Sequence, residues 1–311
     1  MKRLMITLTA LAISAGMSFG QQQENEAYVD QVGTGLQSEV VQEGSFNYAT
    51  QNQTGINNIL EILQSGNQNI ASQEQTDRGV RDDWENVASI NQSGDQNYAN
   101  QYQERENKNA EIDQSGNNNS ANQVQVGIQG SASIDQSGDN NEADQYQDVN
   151  AFSADIYQSG SHNYASQHQE GNRNVADILQ SGDENEAMQS QLGNTNWDEG
   201  MGQAEMNIVQ SGDMNYAEQT QYSDVISNIA SIIQEGSMNW ASQSQHGPEE
   251  WGEGSDNSVL SIEQFGNNNQ ATQFQLTEVG SNYGSIVQHG NFNQAEQNQQ
   301  GMDNNSSIVQ H

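Results

Sequence analysis

From about residue 38 onward, every second position along the chain keeps its identity while the residues between them vary. Numbered from a glutamine that stands two before a Gly and five before an Asn, the fixed positions are Ile at −2 in all but the first copy, which has Val40, Gln at 0, Asn at +5, Ala at +7 and Gln at +9 and +11. Alternation with a period of two predicts β-strands with one buried face. Gly at +2 falls between two alternating runs and predicts a corner, because glycine tolerates the left-handed backbone of sharp turns. A second Gly often recurs at +13, for example Gly55, Gly127, Gly171, Gly193, Gly247 and Gly301, so the unit reads strand, corner, strand, corner.

The index glutamines are Gln42, Gln64, Gln92, Gln114, Gln136, Gln158, Gln180, Gln210, Gln234, Gln264 and Gln288, with a truncated copy at Gln310. Their separations of 22, 28, 22, 22, 22, 22, 30, 24, 30 and 24 residues describe a 22-residue unit with insertions. Residues 25–33 look like the second half of a further, degenerate unit. A strand pair this small buries too little surface alone, so the units must stack into a continuous core. The expected fold is all-β, a two-sheet β-solenoid; twelve layers at ~4.8 Å would make a rod roughly 55 Å long.

Stacking sets Ile on Ile, Ala on Ala and Gln on Gln. A buried carboxamide without partners costs on the order of 1–3 kcal/mol. In a ladder each amide donates to one neighbouring layer and accepts from the other, as in cross-β zippers. The predicted ladder residues include Gln42, Asn47, Gln53, Gln64, Asn69, Gln75, Gln180, Asn185, Gln191, Gln288, Asn293, Gln299, Ile308 and Gln310. Folding the unit about its first corner brings −2 against +7, so Ile faces Ala. It also brings −4, usually Ala, against the +9 Gln.

Composition changes this picture in three ways. Only 32% of residues are hydrophobic, which without the repeat would suggest disorder. Seven cations against 42 acids give a formal net charge of −35, which argues against nucleic acid and anionic membrane as partners. The absence of cysteine excludes disulfide staples.

Residues 1–20 place Lys2 and Arg3 before a short apolar run and end in small residues, the pattern of a secretory signal peptide cleaved before Gln21. A membrane-spanning helix is the alternative, but the run is short and interrupted by Thr, Ser and Gly. No membrane insertion of the remaining chain is expected. Residues 21–37 form an N-terminal segment before the repeats of 38–311.

The repeats resemble the curlin repeat, Ser-x5-Gln-x-Gly-x2-Asn-x-Ala-x3-Gln, as in Ser258, Gln264, Gly266, Asn269, Ala271 and Gln275. The resemblance implies the major subunit of curli, extracellular functional amyloid fibres (a fimbrium or pilus) for adhesion and biofilm. It further implies secretion through a dedicated outer-membrane channel and nucleation by a related minor subunit. Asn often replaces the leading Ser (Asn58, Asn86, Asn174, Asn228, Asn282, Asn304), and the extra +9 Gln and the number of repeats depart from the pattern. A nucleating role for this chain is the alternative within the family.

Without the family, repeats running almost to both termini also predict head-to-tail polymerisation, since open strand edges invite another copy and two unlike ends cannot close on themselves. Stacked acids such as Asp155 and Asp177 would oppose assembly, so growth is expected to quicken at lower pH. Insertions carrying Trp84, Trp197, Trp251 and the sole proline, Pro248, read as solvated corner loops. Tyr48, Tyr98, Tyr164, Tyr216 and Trp240 share the outward +6 position and are expected to pack on outward neighbours. Asp95, Asp139, Asp183 and Asp213 read as turn residues rather than calcium ligands, because the nonapeptide spacing of calcium-binding solenoids is missing.

His162, His168, His246, His289 and His311 occupy unrelated phases, and no catalytic constellation, metal site or cofactor is expected. A monomeric ice-binding solenoid is a further alternative, but Thr50, Thr220 and Thr272 are too scattered for a flat threonine ladder.

Overall fold

A computed structural model describes residues 24–77, 85–105, 107–172, 174–192, 204–222, 228–247, 258–276 and 280–311. The expected signal peptide and the loops holding Trp84, Trp197, Pro248 and Trp251 lie outside the described residues. The chain divides into two units, residues 1–144 and 145–311. Each is a parallel β-solenoid of two sheets.

In the first unit one sheet stacks β1 (Glu26–Thr34), β3 (Tyr48–Ile56), β5 (Ile70–Thr76), β7 (Tyr98–Glu104) and the first half of β9 (Ser120–Asp139). The other stacks β2 (Gln37–Ser45), β4 (Ile59–Asn67), β6 (Val87–Ser93), β8 (Lys108–Asn117) and the second half of β9. Sequence positions of equal phase pair throughout: Ile62 with Ile90, Ile112 and Ile134 in turn, and Gln64 with Gln92, Gln114 and Gln136. The register absorbs insertions, since the 28-residue separation between Gln64 and Gln92 leaves it unchanged. Residues 26–34 lie in register with 48–56. The continuous β9 was not expected: the chain passes its second corner at Gly127 and Gln129, both at positive φ, without leaving the strand.

In the second unit one sheet stacks the latter part of β10 (Glu142–Ser161), β12 (Asn174–Ser181), β14 (Ala204–Ser211), β16 (Ile229–Glu235), β18 (Val259–Phe265), β20 (Tyr283–His289) and β22 (Asn305–Gln310). Facing it are β11 (Tyr164–Asn172), β13 (Glu186–Leu192), β15 (Tyr216–Tyr222), β17 (Trp240–His246), β19 (Gln270–Leu276) and β21 (Gln294–Gln300). All these pairs are parallel, so in the interior layers the backbone groups along a strand find their partners in the layers above and below.

The core is thin and half polar. The −2 isoleucines and +7 alanines are fully buried, and so are the glutamines at 0, +9 and +11 in the interior layers. The +9 side chains point inward against position −4: Gln167 Nε2 donates to the carbonyls of Asp155 and Ala176 at 3.0 and 2.9 Å. Size also balances along the axis. A Cβ on Gly284, at −4, would lie 2.8 Å from the Leu260 side chain one layer away and 2.6 Å from Gln273 Nε2. Leu260 thus fills the space that Gly284 leaves.

Each first corner holds two left-handed residues. The +2 glycines have φ between 97° and 116°, and the +4 residues, among them Phe46, His162, Glu184 and Met214, have φ between 56° and 61°. A side chain in that conformation costs about 1–2 kcal/mol, so the stack imposes it where the residue itself does not favour it. At Gly212 an added Cβ would also sit 2.1 Å from the Gly236 carbonyl oxygen of the next layer. Glycine there satisfies both the dihedral and the layer spacing.

Candidate self-assembly site: amide ladders and terminal layers

The amides form three columns of glutamine and one of asparagine. In the column of index glutamines of the second unit, Nε2 of Gln158 donates to Oε1 of Gln180 at 2.9 Å, Gln180 to Gln210 at 2.8 Å, and so on through Gln234, Gln264, Gln288 and Gln310. Gln42, Gln64, Gln92, Gln114 and Gln136 do the same in the first unit. The +11 column contains Gln53, Gln75 and Gln191, and the +9 column contains Gln51, Gln167 and Gln243. In every one of these bonds the lower-numbered layer donates.

The second Nε2 proton, which the sequence pattern does not announce, crosses the core to a backbone carbonyl. Gln180 donates to Tyr164 O at 2.9 Å, Gln264 to Trp240 O at 3.0 Å and Gln75 to Ile59 O at 3.2 Å. Each such glutamine therefore satisfies both donor protons, one along the axis and one across it. The columns fasten sheet to sheet as well as layer to layer.

The +5 asparagines fasten the corners. The Asn185 backbone N–H donates to Asn163 Oδ1 at 3.0 Å, and Asn185 Nδ2 donates to the Gly212 carbonyl of the following layer at 2.7 Å. Asn47 and Asn69 make the equivalent contacts. At +3, Asp139 accepts from the Asn117 backbone N–H at 2.9 Å, Asp183 from Ser161 at 2.8 Å, and Asp95 from Asn67 at 2.8 Å. Asp213 accepts from the Asp183 N–H at 3.0 Å. These corner aspartates are thus turn residues bonded between layers. The second corner repeats the scheme in places: Asn282 Nδ2 donates to Gly301 O at 2.8 Å, and Ser258 Oγ accepts from the Asn282 N–H at 3.2 Å.

Among the described residues the first layer is β1 and β2 and the last is β21 and β22. There the columns stop. As donors Gln310 and Gln299 retain only the cross-core bonds, to Gln294 O at 2.9 Å and Tyr283 O at 2.8 Å, while Gln310 Oε1 still accepts from Gln288. Gln275 Nε2 and Gln299 Oε1, neighbours in the +11 column, are buried without partners, the one loosening of that column near the last layer. Asn293 keeps a bond to His289 O at 2.7 Å, and Ile308 lies half-buried over Ile286.

Position −4 is serine in the first and last copies alone, Ser38 and Ser306. Ser38 Oγ donates to Gln51, and Gln297 Nε2 donates to Ser306 Oγ at 2.7 Å. These hydroxyls close the +9 column at both ends, where β1 offers Val29 in place of a glutamine. Their signal was present in the sequence as the one exception to an apolar or glycine position.

Outward residues stack as columns too. Tyr216 and Trp240 lie 5.9 Å apart with planes 3° from parallel, Tyr146 stacks on His168 at 4.9 Å, and His289 lies between Phe265 and His311 at 4.9 and 5.7 Å. Asp155 and Asp177 are register partners. The carboxyls of both are raised above the ordinary range, first by loss of water on the sheet surface; at Asp177 the charges of Asp155 and Glu205 add to this. Surface desolvation and the neighbouring Asp113 raise Asp135 in the first unit.

Compared with known proteins, the chain matches no family model and no curated protein sequence.

Proposed function

We propose that this chain is the structural subunit of a curli-like extracellular amyloid fibre, growing by head-to-tail addition of copies. The observation that carries the proposal is the direction of the amide columns together with the phase of the two terminal layers. The last layer has Nε2 protons to donate, at Gln299 and Gln310, and the first has Oε1 acceptors, at Gln31 and Gln42. A second copy placed one layer beyond β21 and β22 keeps every inward position in phase: Ala295 over Ala27, Gln299 over Gln31, Ile308 over Val40 and Gln310 over Gln42. Strand pairing along two open edges, two continued amide columns and a continued aliphatic column then join the copies.

Secretion through an outer-membrane channel and start of growth by a related minor subunit accompany this reading through the resemblance of the repeats to curlin. Purified chain without residues 1–20 is expected to bind thioflavin and to give fibres with reflections near 4.8 and 10 Å. Because the chain has no cysteine, Val41→Cys with Val309→Cys is expected to produce intermolecular disulfides in fibres, and neither single variant is. A chain that stays monomeric at high concentration, or fibres in which that pair never crosslinks, would overturn the reading.

A further inference from the structure

The outward face of the even-numbered sheet in the second unit changes character along its axis. Its first layers are acidic, with Asp155 and Asp177 in register and Glu205 beside them. From β16 onward a single column of hydroxyls, Ser231, Ser261, Ser285 and Ser307, runs up the centre. On one side of it stand Ile229, Val259 and Tyr283, ending in Asn305; on the other, Ile233, Val287 and Val309, interrupted by Glu263. Ile229, Tyr283 and Val309 are 40%, 48% and 57% exposed.

We infer that this ridge-trough-ridge surface is the lateral contact between neighbouring filaments, and that its occupant is the same face of a second copy. The inference rests on the fibre reading above. A trough of small side chains between two taller, mainly apolar ridges is self-complementary: offset by half the width of the face, a ridge of one copy enters the serine trough of the other, as in a dry zipper between sheets. Charge selects the same surface. With a formal net charge of −35, two copies approach most easily where the carboxylate columns give way to Ser, Val and Ile.

Area explains why the contact belongs to filaments. Four layers at ~4.8 Å by a width of ~13 Å give a patch of roughly 250 Å² per copy, against the ~800 Å² per partner of a stable pair. Single copies therefore do not hold together through it. A filament that repeats the patch once per subunit multiplies it, and bundling follows assembly.

The test uses fibres of the full mature chain with Ser261→Asp and Ser285→Asp together, and an opposite-face control, Ser242→Asp with Thr272→Asp, on outward positions of β17 and β19. Each pair adds two stacked carboxylates, so thioflavin growth is expected to slow by the same modest factor, about twofold, in both. Electron micrographs are expected to show single filaments for the first pair and bundles for the control. Ser261→Tyr with Ser285→Tyr fills the trough without charge and is expected to separate filaments in the same way, which guards against an electrostatic effect on folding. Bundles that persist in both trough variants, or that are lost equally in the control, overturn the inference. If the unaltered chain forms no fibres, the fibre reading itself has failed.

Discussion

At the first corner the step from Gln to Asn is five residues in all eleven copies, whereas every insertion that lengthens a repeat falls at the second corner, between the +11 Gln and the next strand. Both corners use a left-handed Gly, as at Gly116 and Gly127, yet they differ in tolerance. The difference lies in what the backbone of the corner is bonded to. At the first corner the Gly carbonyl and the +5 N–H are each held by the +5 Asn of an adjacent layer, as in Gly212 and Asn215, and where the next layer has Asx at +3 it holds the +3 N–H as well, as in Asp183. No residue can be added without breaking bonds in both directions. At the second corner that column is irregular: Lys108, Ala204 and Ser258 stand where other layers have Asn. A corner bonded in only some layers can lengthen.

The sharpest way to break this comparison is to insert two glycines between Gly212 and Asn215, and separately between Tyr222 and Asn228. The first is expected to remove on the order of 5 kcal/mol, enough to abolish cooperative unfolding of a typical domain, and the second less than about 1 kcal/mol; urea unfolding of the unassembled chain checks both. Next in size is Gly212→Ala, which combines a positive φ of 108° with a 2.1 Å approach to the Gly236 carbonyl. It should cost about 3 kcal/mol, and equal stability of this variant and the parent would contradict the layer-spacing argument.

Gln180→Ala would leave Gln158 Nε2 and Gln210 Oε1 without their partners, with an expected loss of about 2–4 kcal/mol. Hydrogen exchange should show it concentrated in the layers on either side. Asn228→Ala at the second corner should cost only about 1 kcal/mol, against more for Asn215→Ala at the first.

The smallest expected effect is on pH. Asp155 and Asp177 have raised carboxyls in the folded state. Between the ordinary value and the raised one the folded chain binds more protons than the unfolded chain. Stability therefore rises as pH falls through that window and levels off below the ordinary value. Asp155→Asn with Asp177→Asn should flatten that slope in acid titrations of stability, and should also reduce any acceleration of growth at low pH. An unchanged slope would move the effect to other carboxylates, such as Glu111 and Asp135.

Much of this was legible in advance because stacking makes one residue type do the same thing repeatedly. Ile90, Ile112 and Ile134 advertise a buried column through identity at constant phase, and the +9 and +11 glutamines can all be buried only if they pair with one another. Less legible was the +4 position, where Phe46, Gln96, His162, Glu184 and Met238 share a left-handed conformation and no chemistry. Nothing in those side chains announces it, since it is imposed by the neighbouring Gly and Asn and by the layers on either side. The closing of the +9 column by Ser38 and Ser306 was visible as an exception in the pattern, but its meaning needed the geometry.

The sequence by itself determined the layer, its two corners, its inward and outward positions and the phase shared by the first and last layers, because a period of two and a unit of 22 leave few other ways to bury Ile, Ala and Gln together. Only the tertiary structure decided that the core glutamines donate toward higher-numbered layers while +5 asparagines also donate back to lower ones, that many of the glutamines also reach across the core to a carbonyl, and which outward columns form ridges and troughs. Those features depend on the orientation of groups in neighbouring layers. A one-dimensional pattern records which groups recur but not which way they point.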